Sequence, residues 1–356
     1  MQFAKADVTP ARRPAIVWLG AVLAVCTAAW PAGARDPVVL RAVRTLPPHV
    51  AGGFREPAAF QRGPDGAYFV FDRKAHTVYG IDAARTAVRP LVEIGPEQGR
   101  ILQARAFSAG PDGRFVVADT PGRQERVQLF DSEGELISRF VLPGRSTPRI
   151  VVGDRVVSGV GSLQFTGRRV LVSMPEAGAL IAEFGLRGAP LRLIGQLRRT
   201  GHEDDRDVHL ALNSGIPLVD PTGGYYFVFV SGRPEFHKFT EDGQLVFTRA
   251  IQGPELDGLL GAQPTTWPRR TISDAHVPLV APVIRTAAVA GDGHLWVSLS
   301  VPFTYVYDAA GEKLGTVQFR GARIVSPVSL FFDAAGRVLV APGLHEFDVP
   351  DALSAR

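Results

Sequence analysis

Six stretches of this chain repeat one another, and that constrains the fold more than any other feature. The segment GPDGAYFVFDRKAHTVYGID (63–82) is echoed closely by GPDGRFVVADTPGRQERVQLFDSEG (110–134). Weaker echoes follow at 166–185, 220–243, 291–311 and 333–350. Each copy opens with a turn ending in glycine, at Gly66, Gly113, Gly167, Gly223, Gly293 and Gly336, and these fall 43 to 70 residues apart. An apolar strand comes next, then a short polar connection, then a strand closing on an aromatic or aliphatic residue and often Asp, as at Ile81-Asp82, Phe130-Asp131 and Tyr307-Asp308. In several copies a second glycine turn leads into a fourth strand, as at Ser132-Glu133-Gly134 and Glu241-Asp242-Gly243.

Repeats of this length, each one antiparallel unit, signal radially arranged blades. Six turn glycines predict an all-β, six-bladed β-propeller of four-stranded antiparallel blades. The last copy ends near Pro350 with three strands, and Val38–Leu46 (VVLRAVRTL) is a spare strand near the other end of the chain. Pairing the two closes the ring and removes an open sheet edge. The stretch 253–280 carries several prolines and no strand alternation, so it reads as an insertion between the fourth and fifth blades.

Composition supports a packed chain, because 46% of the 356 residues are hydrophobic and 21% charged. The first 34 residues read as a signal peptide. Arg12 and Arg13 precede the apolar stretch 15–29, and Ala32-Gly33-Ala34 forms a small-x-small cleavage site. That apolar stretch is shorter than the roughly 20 residues of a membrane-spanning helix. Export to the periplasm or the medium is therefore expected, with a mature propeller domain over 35–356 and no transmembrane segment after cleavage. Cys26, the single cysteine, lies inside the predicted signal, so the mature chain has no disulfide, thiolate metal site or cysteine nucleophile. The net charge of +4 is too small to point to nucleic acid.

The turn-glycine, strand, loop, strand, second-glycine order resembles NHL-type repeats. More broadly the chain resembles the six-bladed propellers that include gluconolactonase-like hydrolases and peptidylglycine-lyase-like enzymes. The hydrolase resemblance implies one divalent cation in the central channel, held by a Glu and Asn or Asp ligands at the starts of inner strands. Ten positions before the turn glycines stand Glu56, Gln103, Val157, Asn213, Val283 and Ser326. Glu56 and Asn213 match two of those ligands in type, while Val157 and Val283 stand where oxygen is expected. The lyase resemblance implies channel histidines for zinc, and the histidines here do not recur at equivalent blade positions.

Two groups of residues are the candidates for function. Arg55, Arg105, Arg285 and Arg323 fall near inner-strand starts and, with Glu56, Gln103 and Asn213, predict a polar, net-positive funnel for a carboxylate or phosphate. His202, Asp205 and His209 in the charged run before the fourth blade, with Trp267, Asp274 and His276 in the insertion, are expected on the same face. The charged run, with Asp207, is a solvated loop or a metal-ion site, and the insertion makes a lid, a partner-binding loop or an inert excursion. No nucleophile elbow, zinc-peptidase helix motif, P-loop or dinucleotide fingerprint occurs. The function expected is an exported, non-catalytic module that binds a small polar or anionic ligand, or an envelope protein partner, without a cofactor. A lactone hydrolase or lyase is the alternative.

Overall fold

A computed structural model describes residues 36–122, 124–142, 150–152, 155–157, 162–272 and 275–354. The predicted signal peptide, residues 1–34, lies outside them, as does Asp274. Six four-stranded antiparallel blades form the predicted propeller, the sheet of the fifth being widened to six strands by Val38–Arg41 and Ile324–Val325. The inner strands of blades one to six are Pro57–Arg62, Ala106–Ala109, Leu163–Phe165, Gly215–Val219, Ile284–Val289 and Ser329–Phe332.

Burial explains the sequence pattern. The second strands, such as Tyr68–Asp72, Phe115–Asp119 and Tyr225–Phe229, are buried at every position and read as continuous apolar runs. They have a strand on each side and a blade against each face. An outer strand such as Leu136–Val141 alternates half-buried and exposed residues, because only one edge and one face are covered. A separate apolar cluster fills each seam between neighbouring blades. Between strands, Asp82, Asp131, Asp308 and Asp333 each accept hydrogen bonds from two backbone amides of the following turn. That gives the recurrent aspartates a local purpose. Gly113 has φ of 82°, a left-handed backbone that strains any residue with a side chain.

The closing strand is present but divided. Val38–Arg41 runs parallel to Lys313–Arg320 on the outer edge of blade five, and Arg44–Thr45 pairs with His345–Phe347 as the fourth strand of blade six. The switch occurs between adjacent amides: Ala42 donates to the Arg320 carbonyl and Val43 to the Glu346 carbonyl, at 3.0 and 2.9 Å. One segment thus ties two blades together.

The insertion has more regular structure than its composition indicated. It contains the helix Pro254–Gly261 and the hairpin Arg269–Ile272 and Ala275–Val280. That hairpin pairs in parallel with Ile150–Val152, itself hairpinned to Arg155–Val157, giving a seventh four-stranded sheet outside the ring. Half of this sheet comes from a connection more than a hundred residues earlier, so the insertion's own residues do not announce it.

Candidate functional site

The six inner strands surround a channel with a cavity of about 1700 Å³. Its mouth is the face where the inner strands begin. Four arginines, Arg62, Arg73, Arg105 and Arg285, line the cavity as a whole against two carboxylates, Glu56 and Asp333. Glu56 is ion-paired with Arg73, which follows directly on Asp72 at the end of the second strand of blade one. The buried Asp72 carboxylate accepts from the amides of Arg55, Glu56 and Ala75, fixing the backbone that carries Glu56 to the rim. At the opposite end Arg62 reaches from blade one to Asp333 of blade six at 3.1 Å, and Arg337 approaches the same carboxylate at 3.5 Å.

Arg105 and Arg285 both line the cavity, from blades two and five, which are diametrically opposed in a six-membered ring. Arg105 is half-buried, and burial lowers its pKa while Glu125 opposes the shift. Arg285 is exposed. Its guanidinium donates to the Ser300 carbonyl at 3.4 Å, and no carboxylate among the described residues pairs with it.

The other predicted funnel residues are elsewhere. Arg55, Gln103 and Arg323 are exposed outside the cavity lining, and Gln103 adopts a left-handed backbone with φ of 54°. Asn213 is fully buried at the C-terminal end of the helix Arg206–Leu212. Its side-chain oxygen accepts from the Arg198 amide, and its nitrogen donates to the carbonyls of Arg198 and His209. Val157 belongs to the additional sheet rather than to blade three. Counting back ten residues from the turn glycine misplaces these positions because inner strands vary from three to six residues in length. Arg62 ends the inner strand of blade one, while Arg73 and Asp333 directly follow strands, so none of the three stands at the offset that the turn glycines suggest.

The two connection segments do come together. Trp267 is buried against Val208, Ala211, Leu212 and Val280. Its indole nitrogen approaches His202 Nε2 at 3.4 Å. Asp205 caps its helix by accepting from the Val208 amide and receives Arg269 on both oxygens, at 2.7 and 2.5 Å. His209 Nδ1 is 2.8 Å from Thr200 Oγ1, and the His276 carbonyl accepts from Arg269. The Trp267 and Asp205–Arg269 contacts fasten one connection to the other, and none of these side chains lines the channel.

The divalent cation implied by the hydrolase resemblance does not fit the donor set. Glu56 is engaged by Arg73, and Asn213 is committed to backbone away from the channel. Among the described residues no group of three or more His, Cys, Asp or Glu side chains is placed to hold a metal ion, whereas a hard cation takes about six oxygens.

No family model matches the chain, and no curated protein matches it. Solved structures do share its architecture. A gluconolactonase from Xanthomonas campestris superposes with a TM-score of 0.52 at 15% identity, over 85% of this chain and 88% of that one. Virginiamycin B lyase from Staphylococcus aureus gives a TM-score of 0.50 at 10% identity, over 83% of this chain and 80% of its own. At such identities the likeness extends to the six-bladed fold and no further, and the NHL character of the repeat rests on the internal echo alone.

Proposed function

We propose that the protein is a non-catalytic binding module whose channel mouth takes a small anion. The observation that carries this reading is Arg285, an exposed guanidinium on the wall of a 1700 Å³ cavity with no carboxylate partner among the described residues. A planar fork of donors in a concave site suits a carboxylate or phosphate. The excess of arginine over acid on the wall adds a field of the same sign. Arg105 supports it from the opposite blade. Glu56 acts through Arg73, holding that guanidinium at the rim.

Thermal shift with carboxylates and with alcohols of the same carbon skeleton tests this. The carboxylates should raise Tm more, and Arg285→Ala should erase the difference without lowering the Tm of the free protein. Equal shifts for acid and alcohol would overturn the reading. Turnover of δ-gluconolactone by the wild-type protein would transfer the site to the hydrolase alternative.

Export belongs to the same proposal. It is supported by the Arg12-Arg13 pair, the apolar stretch and the small-residue site at 32–34. N-terminal sequencing of protein recovered outside the cytoplasm should begin at Arg35; an intact Met1 in the membrane fraction would refute it.

A further inference from the structure

Given a channel that binds anions, the chemistry of its shaft narrows the ligand class. Gln61, Ser108, Gln164 and Ser162, the uncharged polar groups that suit a polyhydroxylated ligand, all line the cavity. Each has an oxygen that is already engaged. Gln61 accepts from the Ala109 amide at 2.6 Å, Ser108 from the Phe165 amide at 3.0 Å and Gln164 from the Val219 amide at 2.5 Å. Ser162 donates to the Gly215 carbonyl at 2.6 Å. All four bonds cross from one blade to the next. These four side-chain oxygens are thus staples between inner strands.

Ile216, Val289, Val328 and Phe331 also line the cavity, and each is only partly buried by protein. They come from blades four, five and six and give the shaft apolar surface. Hydroxyls brought against such a wall would lose water without gaining partners, whereas a hydrocarbon body gains by burial. Charge along the axis is unequal as well. The far end is compensated, because Asp333 receives both Arg62 and Arg337, while Arg285 at the mouth has no acid partner among the described residues. Inner strands of three to six residues at roughly 3.3 Å per residue give the shaft a length of about 10–20 Å.

We infer that the channel binds an amphipathic anion, a carboxylate with an alkyl or aryl body, with its head at Arg285 and its apolar body in the shaft. The proposal rests on the anion-binding reading and adds the class of ligand.

Isothermal titration of the full chain with decanoate, decyltrimethylammonium and gluconate tests it. Decanoate should bind at one site per chain, and neither of the other two should. Arg285→Ala should weaken decanoate by about tenfold, the loss expected for one charge-assisted contact. Ile216→Thr should weaken decanoate while leaving the urea midpoint nearly unchanged; if it fails to fold, Val289→Thr reads the same wall from the neighbouring blade. Binding of gluconate in place of decanoate would overturn the amphipathic class and leave the anion reading standing. Equal binding of the cationic amphiphile, or no response of decanoate to Arg285→Ala, would overturn both.

Discussion

His345 shows how a single side chain links ring closure to pH. It lies on the third strand of blade six, where it pairs with Thr45, and its Nδ1 is 2.8 Å from the Thr45 hydroxyl. Burial lowers its pKa from the usual 6.5, so the fold favours the neutral ring. Above about pH 6.5 the imidazole is neutral in both folded and unfolded chains and contributes no pH dependence. As pH falls below that value the unfolded chain takes up the proton first, and stability drops until the lower folded pKa is passed. His76, also lowered by burial and by the nearby Arg105, acts in the same direction. Urea midpoints at pH 7.5 and 5.0 should therefore differ less in His345→Gln than in the wild type. An unchanged difference would mean that His345 titrates alike in both states. Asn213 teaches the complementary lesson at this scale. Its residue type suits a ligand site, yet its amide closes a helix end against Arg198, and nothing in the sequence separates those two uses.

Among elements, the divided strand at 36–46 has the largest consequence. Leu40 is buried in the seam between blades five and six, and Leu46 in the seam between blades six and one. Deleting 36–46 removes both, at about 2–5 kcal/mol for each buried leucine cut back, and bares two strand edges. Calorimetry should show a large fall in Tm for that deletion and a smaller one for removal of 36–41, which leaves blade six closed. A truncated protein that melts like the full chain would show that the ring closes by other contacts. The blades themselves were legible because turn glycines and fully buried second strands leave a strong local imprint. The inner-strand starts were not. Bulges in the first and fifth blades, between Pro57 and Ala59 and between Ile284 and Thr286, shift register without marking the sequence. Glu56 and Arg285, in those bulged blades, and Arg105 do line the channel, whereas Gln103, Val157 and Asn213 do not, because the inner strand begins one residue after Glu56 but three, six and two residues after them.

For the molecule as a whole, the 253–280 insertion decides whether the mouth face is part of the ring's cooperative unit. Leu256 is fully buried in the cluster between blades four and five, among Phe236, Tyr305 and Tyr307. One residue earlier Glu255 accepts from the Tyr305 hydroxyl at 2.5 Å, and the Lys313 ammonium sits 3.2 Å from the centroid of that same ring. Farther along, Trp267 and Val280 pack on the helix that leads into blade four. Anchored at both points, the segment is continuous with the core rather than an excursion from it. Replacing 253–280 by a short glycine-serine linker should lower the melting temperature of the entire ring in one transition, because it uncovers the seam that Leu256 fills. Leu256→Ala alone should cost about 2–5 kcal/mol, as a cavity in a close-packed seam does. A ring that melts at its original temperature after the replacement would make the insertion an independent appendage. A separate low-temperature transition in the intact protein would do the same, and would leave the channel mouth to be shaped by the inner strands alone.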